Sequence, residues 1–457
     1  MRAPRMAGSS SLSDLIDELD ALPTADMPSP SRTSLSQDLG KLLTRLFPVC
    51  RSITGDGVRQ TLAVLGENVE LKVHSIPTGQ RVYDWTVPQE WNVRDAFVAD
   101  ATGRRVIDFR ESNLHLVSYS EPINTVMSLA ELLQHLHTLP DHPDWIPYRT
   151  SYYRRNWGFC LRHRDLDALT DNTYQVVIDS TLEDGELVYG ECILPGTSRE
   201  EVLVSAHCCH PSMANDNLSG LTVATRLAQL LGDLKHHYTY RFVFAPGTIG
   251  SLVWLSQHAD RLDRIRHGLV LTGLGDAGPL VYKRTREGTA GIDAAAVQVV
   301  IQGGGEARDY SPWGYDERQY NALGFGLPVG RLTRTPHGEY SEYHTSADNL
   351  AFISEDALGG AVATVLRIFD ALENDATYVN LSPHGEPQLG KRGLYPSTGG
   401  QRATDSTLAM LWMLAESDGG RSILDIAGNT GLPFAILRRA AADLERVDLM
   451  RKQRTTR

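Results

Sequence analysis

The sequence predicts an α/β protein: a mostly parallel sheet with helices on both faces, a small β-rich insertion and a compact helical tail. Three observations carry this. From Tyr174 onward, short apolar strands alternate with longer amphipathic patterns, the signature of a sheet covered on both faces. Between residues 70 and 159, β-branched and aromatic runs alternate instead with turn signals. Beyond a Pro- and Gly-rich stretch at 378–402, three helical patterns fit into the remaining chain.

In chain order, residues 1–36 are rich in Ser, Pro and Ala with one short leucine pattern from Leu12 to Leu22, and read as a disordered tail. They contain no apolar core of signal-peptide length. Leu39–Leu65 reads as helical, broken at Arg51-Ser52-Ile53-Thr54-Gly55, a turn with the look of either a phosphate-like nest or plain punctuation, of which punctuation is preferred. These residues, 37–69, are assigned with 160–378 to the α/β domain, and 70–159 to the insertion. Within the insertion a helix is expected over Ser128–His137, opened by a capping box of Ser128 and Glu131. The aromatic stretch Ile146–Cys160 fits either a pocket lining or a domain interface. The main domain supplies strands at Tyr174–Ser180, Glu186–Ile193, Val202–Ala206, Tyr240–Phe244 and Gly268–Thr272, with helices at Ser219–Leu231, Ile249–His258 and Asp356–Glu373. The tail, 386–457, has helices at Thr407–Glu416, Ser422–Gly428 and Pro433–Arg446, the last two in helix-turn-helix proportions.

Composition narrows the function classes. With 44 Lys and Arg against 56 Asp and Glu, the formal charge of −12 argues against general nucleic-acid binding, which needs a local basic excess. The tail alone carries 11 basic against 8 acidic residues, a modest surplus. Five cysteines, Cys50, Cys160, Cys192, Cys208 and Cys209, form no disulfide framework, so a reducing cytoplasm is expected. No apolar run approaches the ~20 residues of a membrane span.

The chemistry concentrates in two stretches. In Ser205-Ala206-His207-Cys208-Cys209-His210-Pro211-Ser212-Met213-Ala214-Asn215-Asp216-Asn217-Leu218-Ser219-Gly220, a buried strand ends at Ala206 and places His207 at its C-terminal edge, where open α/β sheets hold ligands. Asp216 and Asn217 precede a helix N-terminus, and imidazole with carboxylate suits zinc. The adjacent pair Cys208-Cys209 lacks the second pair a thiolate centre needs. The second stretch, Thr335–Asn349, packs two carboxylates and two histidines into eight residues of loop. His344 reads as the third ligand, with Asp348 either orienting it or capping a turn. Glu339 or Glu342 reads as the general base. Around the expected mouth lie Tyr315, Asp316, Arg318 and Arg334, with Asn217, as substrate-binding candidates; arginine can hold a carboxylate or phosphate with two parallel hydrogen bonds.

Several phrases carry a resemblance: Ser205–Gly220, Pro246-Gly247-Thr248-Ile249-Gly250-Ser251, Gly314-Tyr315-Asp316-Glu317-Arg318-Gln319-Tyr320, Glu342-Tyr343-His344-Thr345-Ser346 and Gly390-Lys391-Arg392-Gly393-Leu394-Tyr395-Pro396. Through them, residues 175–370 resemble the clan of zinc aminopeptidases and glutaminyl cyclases. The span of about 40–450 resembles a bacterial family of aminopeptidase-like proteins, sometimes labelled polysaccharide biosynthesis proteins, with an inserted β domain and a C-terminal winged helix. The resemblance implies a zinc-aminopeptidase-type sheet. His207, Asp216 and His344 match its ligand positions. Cys209 stands where the clan has an orienting aspartate, Gly247-Thr248 where it has a Glu-Glu pair, and Thr272 near a further aspartate ligand, with Asp276 the nearest substitute. The matching positions imply one zinc ion rather than two, with His210 an additional candidate ligand and Glu317 joining Glu339 and Glu342 as candidate base.

The expectation is therefore a zinc-dependent hydrolase acting on an amide of a small peptide or aminoacyl conjugate, within a biosynthetic pathway. Two alternatives stand beside it: a catalytically retired zinc- or ligand-binding protein, and a winged-helix regulator with a hydrolase-like sensor. For the winged helix, packing or contact with a protein partner or a second copy is preferred over nucleic acid.

Overall fold

The computed structural model describes residues 11–20, 38–394 and 404–453. Its centre is an eight-stranded sheet of β1 (Lys72–Pro77), β2 (Glu186–Leu194), β3 (Glu201–His207), β4 (Thr239–Ala245), β5 (Ile265–Leu271), β6 (Val281–Lys283), β7 (Glu306–Arg308) and β8 (Val329–Thr333). The spatial order is β1-β2-β4-β3-β5-β8-β6-β7. The four central strands β4, β3, β5 and β8 run parallel, while β1, β2 and β6 join antiparallel.

Because side chains alternate across a strand, each central strand feeds two cores. Val202, Val204 and Ala206 of β3 enter one with Leu221 and Leu227 of helix Gly220–Gly232 and Val362 and Phe369 of helix Glu355–Asn374. Leu203 enters the other with Val270, Trp254 of helix Ile249–Gln257, and Tyr320. His207 has the parity of Leu203, so it emerges on this second face, which the insertion also covers.

The insertion is a four-stranded antiparallel sheet in the order Arg105–Asp108, Glu90–Ala99, Thr173–Glu183, Ile123–Ser128. Its boundaries differ from the 70–159 expected. β1 belongs to the main sheet, and Thr173–Glu183, read as a main-sheet strand, pairs with Glu90–Ala99 and Ile123–Ser128 instead. Only Asp184 and Gly185 separate it from β2, so the chain changes sheets across two residues. Period identifies a strand, not its partner. The expected helix Ser128–His137 shrinks to one capped turn, Leu129–Leu132, followed by a 3₁₀ turn; the capping box itself is present.

The tail forms a winged-helix arrangement. Helices Asp405–Glu416, Ile423–Thr430 and Phe434–Arg446 pack on a small sheet of Thr377–Asn380, Asp418–Ser422 and Met450–Lys452. The unit begins at Thr377, one residue ahead of the linker read at 378–402, because Thr377–Asn380 is its central strand. Its last helix, which would enter a DNA groove in a helix-turn-helix reader, is engaged within the chain. Arg438 and Arg439 pair with Asp17 at 2.8 and 2.7 Å. The turn before it is held by Gln298 Nε2 donating to the Leu432 carbonyl at 2.9 Å.

Asp17 belongs to helix Leu12–Asp20, which corrects the disordered reading of that part of the tail; residues 1–10 and 21–36 lie outside the described residues. Leu12, Leu15 and Ile16 are buried in the first core, so the short leucine pattern acts as a strap over helix Glu355–Asn374 and the winged helix. Leu15→Ala is expected to lower the unfolding midpoint in urea, by the equivalent of about 2–5 kcal/mol for an emptied leucine site. An unchanged midpoint would show that the strap adds no stability.

Candidate metal centre

β3 delivers His207 to the edge of the sheet, and the loop after it returns to place His210 and Asp216 beside it. Asp216 is fully buried. Its Oδ1 lies 2.9 Å from His207 Nε2, its Oδ2 3.0 Å from His344 Nε2 and 3.9 Å from His210 Nε2. Burial alone would raise the Asp216 carboxyl, but the imidazoles of His210, His207 and His344 hold it well below the usual carboxylate range. One donor atom each from His207, His210 and Asp216 lies within 4.8 Å of the others, the one such group among the described residues.

The loop geometry is set from beneath. Asp348 is fully buried, and its two oxygens accept the backbone N–H groups of Asn215 at 2.6 Å and Asp216 at 2.9 Å. Burial pushes its carboxyl up to about 7, against those hydrogen bonds. Asp348 thus positions Asp216 rather than orienting His344. Asn217 braces the loop: its Nδ2 donates to the Leu271 carbonyl at 3.0 Å, and its Oδ1 accepts the Gly220 N–H at 3.1 Å. The Asp216–Asn217 peptide bond is cis.

His210 joins from the second shoulder of the loop. Arg51 Nε donates to its carbonyl at 2.9 Å, tying the 51–55 turn to the centre. Burial drives the His210 imidazole down to about 3 despite Asp216 nearby, so its ring is neutral and carries a lone pair. His344 is the most open member, with a third of its side chain accessible against 2% for His207, so the centre opens on the His344 side. Aromatic walls define that opening. Tyr343 stacks on His344 at 3.9 Å, Tyr148 meets it edge-on at 5.1 Å, and Tyr315 stacks on His207 at 5.3 Å. Tyr148 comes from the aromatic stretch of the insertion, which therefore lines the site; its N–H donates to the His344 carbonyl at 2.8 Å.

Three imidazoles around one carboxylate are a donor set that fits zinc, whose ligands sit about 2.0–2.2 Å from the ion. Asp276 stands apart from it. Its carboxylate accepts from Asn215 Nδ2 at 3.0 Å and Thr335 Oγ1 at 2.8 Å, bracing two loops. Thr272 is buried, and among the described residues its hydroxyl has no hydrogen-bond partner. Cys209 Sγ accepts the Gly247 N–H at 3.2 Å, and burial pushes its thiol well above the ordinary range, as expected of a packed cysteine and not a thiolate ligand.

The remaining candidates separate clearly. Asp316 is buried and accepts from the Thr248 N–H at 2.7 Å and Ser251 Oγ at 3.2 Å, capping helix Ile249–Gln257 instead of lining a mouth. Arg334 spends its donors on the carbonyls of Leu274, Gly278 and Ala357 and is structural. Glu317 is buried against Lys283 at 2.9 Å, and Glu339 pairs with Arg308 at 2.5 Å, so neither is a free base. Glu342 is half-buried, two residues before His344, and among the described residues its carboxylate accepts one hydrogen bond, from Ser341 Oγ at 3.1 Å. Tyr315 reaches the centre by stacking on His207, and no hydrogen bond or ion pair links Arg318 to the centre among the described residues. Sequence reasoning missed Arg51 and Tyr343 and left Tyr148 undecided. The adjacency of Tyr343 to His344 was the one available signal.

This architecture, a mixed sheet with its metal-competent cluster at a central strand's C-terminal edge, is aminopeptidase-like. The fold is similar to that of a zinc aminopeptidase from Bacillus subtilis, at a TM-score of 0.53 and 15% identity, over 73% of this chain and 93% of that one. Residues 40–375 match the model of a domain of unknown function, DUF4910, and 376–452 that of a winged helix-turn-helix. The chain belongs to the DUF4910 family. It is 48% identical, over 91% of its length and 96% of the other's, to a Clostridium acetobutylicum protein named for polysaccharide biosynthesis with an aminopeptidase-like domain. It also matches the crystal structure of a protein from that organism described as a peptidase, at a TM-score of 0.90 and 44% identity, covering 97% of this chain and all of that one.

Asp348→Asn would set an amide N–H against one of the two loop N–H groups that the carboxylate now accepts. The expected result is a zinc affinity lowered about 10–100-fold in a chelator competition titration, the usual cost of losing a supporting hydrogen bond. Unaltered affinity would detach Asp348 from the centre.

Proposed function

We propose that this protein is a zinc-dependent hydrolase that cleaves an amide bond of a small peptide or aminoacyl conjugate. The observation that carries the reading is the buried Asp216 carboxylate bracketed by His207, His344 and His210 at the edge of an aminopeptidase-like sheet. His207, Asp216 and His344 would hold one ion, with His210 as an additional ligand. Bound there, zinc supplies Lewis acidity toward a carbonyl and lowers the pKa of water.

The chain's own residues do the rest. Glu342, two residues before the open histidine and, among the described residues, without a cationic partner, takes a proton from the attacking water and returns it to the leaving amine. Tyr148, Tyr315 and Tyr343 form the walls that hold the substrate against the centre and limit bulk water. The name of the Clostridium acetobutylicum relative fits a role in a biosynthetic pathway, with an amide-bearing intermediate as the substrate.

A second reading, a ligand-binding protein that has lost catalysis, is favoured by Gly247: a side chain there would start 3.7 Å from the His207 Cβ, and the position has none. The regulator reading loses ground, because Arg438 and Arg439 of the last helix are already paired to Asp17.

Elemental analysis of protein purified without added metal is expected to return about one zinc per chain, the content of a mononuclear catalytic site. His207→Ala and His344→Ala should each lose the metal. Glu342→Gln should retain it and lose turnover on aminoacyl substrates by about 100-fold or more, the usual contribution of a positioned base. Zinc retained in both histidine variants would remove the ligand assignment. Full activity of the glutamine variant would move the base elsewhere, and absence of zinc after reconstitution would favour the ligand-binding reading.

A further inference from the structure

One cluster outside the metal centre is built against the usual rules of packing. β6 and β8 are antiparallel neighbours, and their register sets Lys283 directly opposite Arg331. Like charges so placed repel, and here both are buried, at 3% and 4% exposure. A single carboxylate answers them: Glu317 lies 2.9 Å from Lys283 Nζ and 3.5 Å from Arg331 Nη1. Lys283 Nζ also donates to the Trp313 carbonyl at 2.8 Å.

Arg318, on the short helix that carries Glu317, adds a third cation. It is half-buried and, among the described residues, makes no hydrogen bond or ion pair, and its Nε is buried without a partner. Arg331 Nε is likewise buried and, among the described residues, without a hydrogen-bond partner, while its Nη1 lies 3.5 Å from His337 Nδ1. Two buried cations therefore share one carboxylate, a third, Arg318, is near enough to act on the Lys283 ammonium by charge repulsion, and donors are left over. An interior charge surplus of this kind costs stability unless something neutralises it.

The cluster is one aromatic ring from the metal centre. The Arg331 guanidinium lies 5.6 Å from the ring of Tyr315, whose other neighbour is His207 at 5.3 Å. In the sheet, Arg331 is level with Val270 and Ser205, two residues before His207 on the same face of β3. Trp313, 71% exposed, marks the solvent side.

We propose that Arg318, Arg331 and Lys283 form a subsite for an oxyanion, carboxylate or phosphate, carried by the substrate beside its scissile amide. The proposal rests on the hydrolase reading for its link to catalysis, and narrows the substrate to an acidic one. Glu317 Oε2, buried and without a partner, faces the same cluster. It keeps the cations in place and would take a hydrogen bond from a hydroxyl or water beside the anion.

Calorimetric titration with glutarate and with inorganic phosphate tests this on the wild type, Arg318→Gln and His207→Ala. Among the described residues Arg318 makes no hydrogen bond or ion pair, and glutamine keeps part of its half-buried stem, so the variant should keep the wild-type unfolding midpoint, checked by urea unfolding. At least one of the two anions should bind the wild type and lose about ten-fold or more in affinity in Arg318→Gln, the effect of removing a charge-assisted donor. Preference for glutarate assigns a carboxylate, and preference for phosphate a phosphoryl group. His207→Ala should bind the anion as the wild type does. Binding that falls only with His207 would assign the anion to the metal and overturn the subsite, as would no binding of either anion or an unaffected Arg318→Gln. Anion binding by a wild type that takes up no zinc would keep the subsite and remove the hydrolase reading instead.

Discussion

A carboxylate without solvent access is among the most expensive groups a protein interior can hold, and Asp216 is such a group. The rest of the site follows from how that cost is met. Three imidazoles face its two oxygens, and the backbone that carries it is gripped by Asp348. Those imidazoles come from a strand end, from the loop behind it and from a segment more than a hundred residues later. Holding them around one carboxylate requires the sheet, the loop and the insertion to be in place together.

The insertion is therefore part of the site and not an ornament on it. Tyr148 spans the gap between His210 and His344 with its ring, and its N–H fixes the carbonyl of His344. The same logic places Arg51, whose buried guanidinium ties the first helical region to His210. Each contact links an element with little chemistry of its own to the atoms that have it.

At the other end of the molecule, the winged helix is used as a packing unit. Its last helix faces the strap Leu12–Asp20 and helix Glu355–Asn374, and its basic residues are paired with acidic ones of this chain. Two cations of the basic surplus of the tail, Arg438 and Arg439, are thus engaged by acidic residues of the same chain.

The alternation of apolar strands and amphipathic helices was legible because burial on both faces imposes apolar runs of strand length, as in Val202–Ala206. His207, Asp216 and His344 were legible because residue types with metal-binding chemistry were concentrated in two loops. What the linear chain could not show was partnership. Thr173–Glu183 has the pattern of any half-buried strand, so its membership of the insertion's sheet was settled by pairing alone. Asp316, Arg334, Asp276 and Glu317 carry the same functional groups as binding or catalytic residues. They became a cap, a brace, a second brace and half of a buried ion pair only when their neighbours arrived. The sequence by itself determined the fold class and the metal-competent side chains, because periodicity and side-chain chemistry are local properties. Only the tertiary structure decided which carboxylates are already engaged and which cations are left over, because both depend on contacts between residues far apart in the chain.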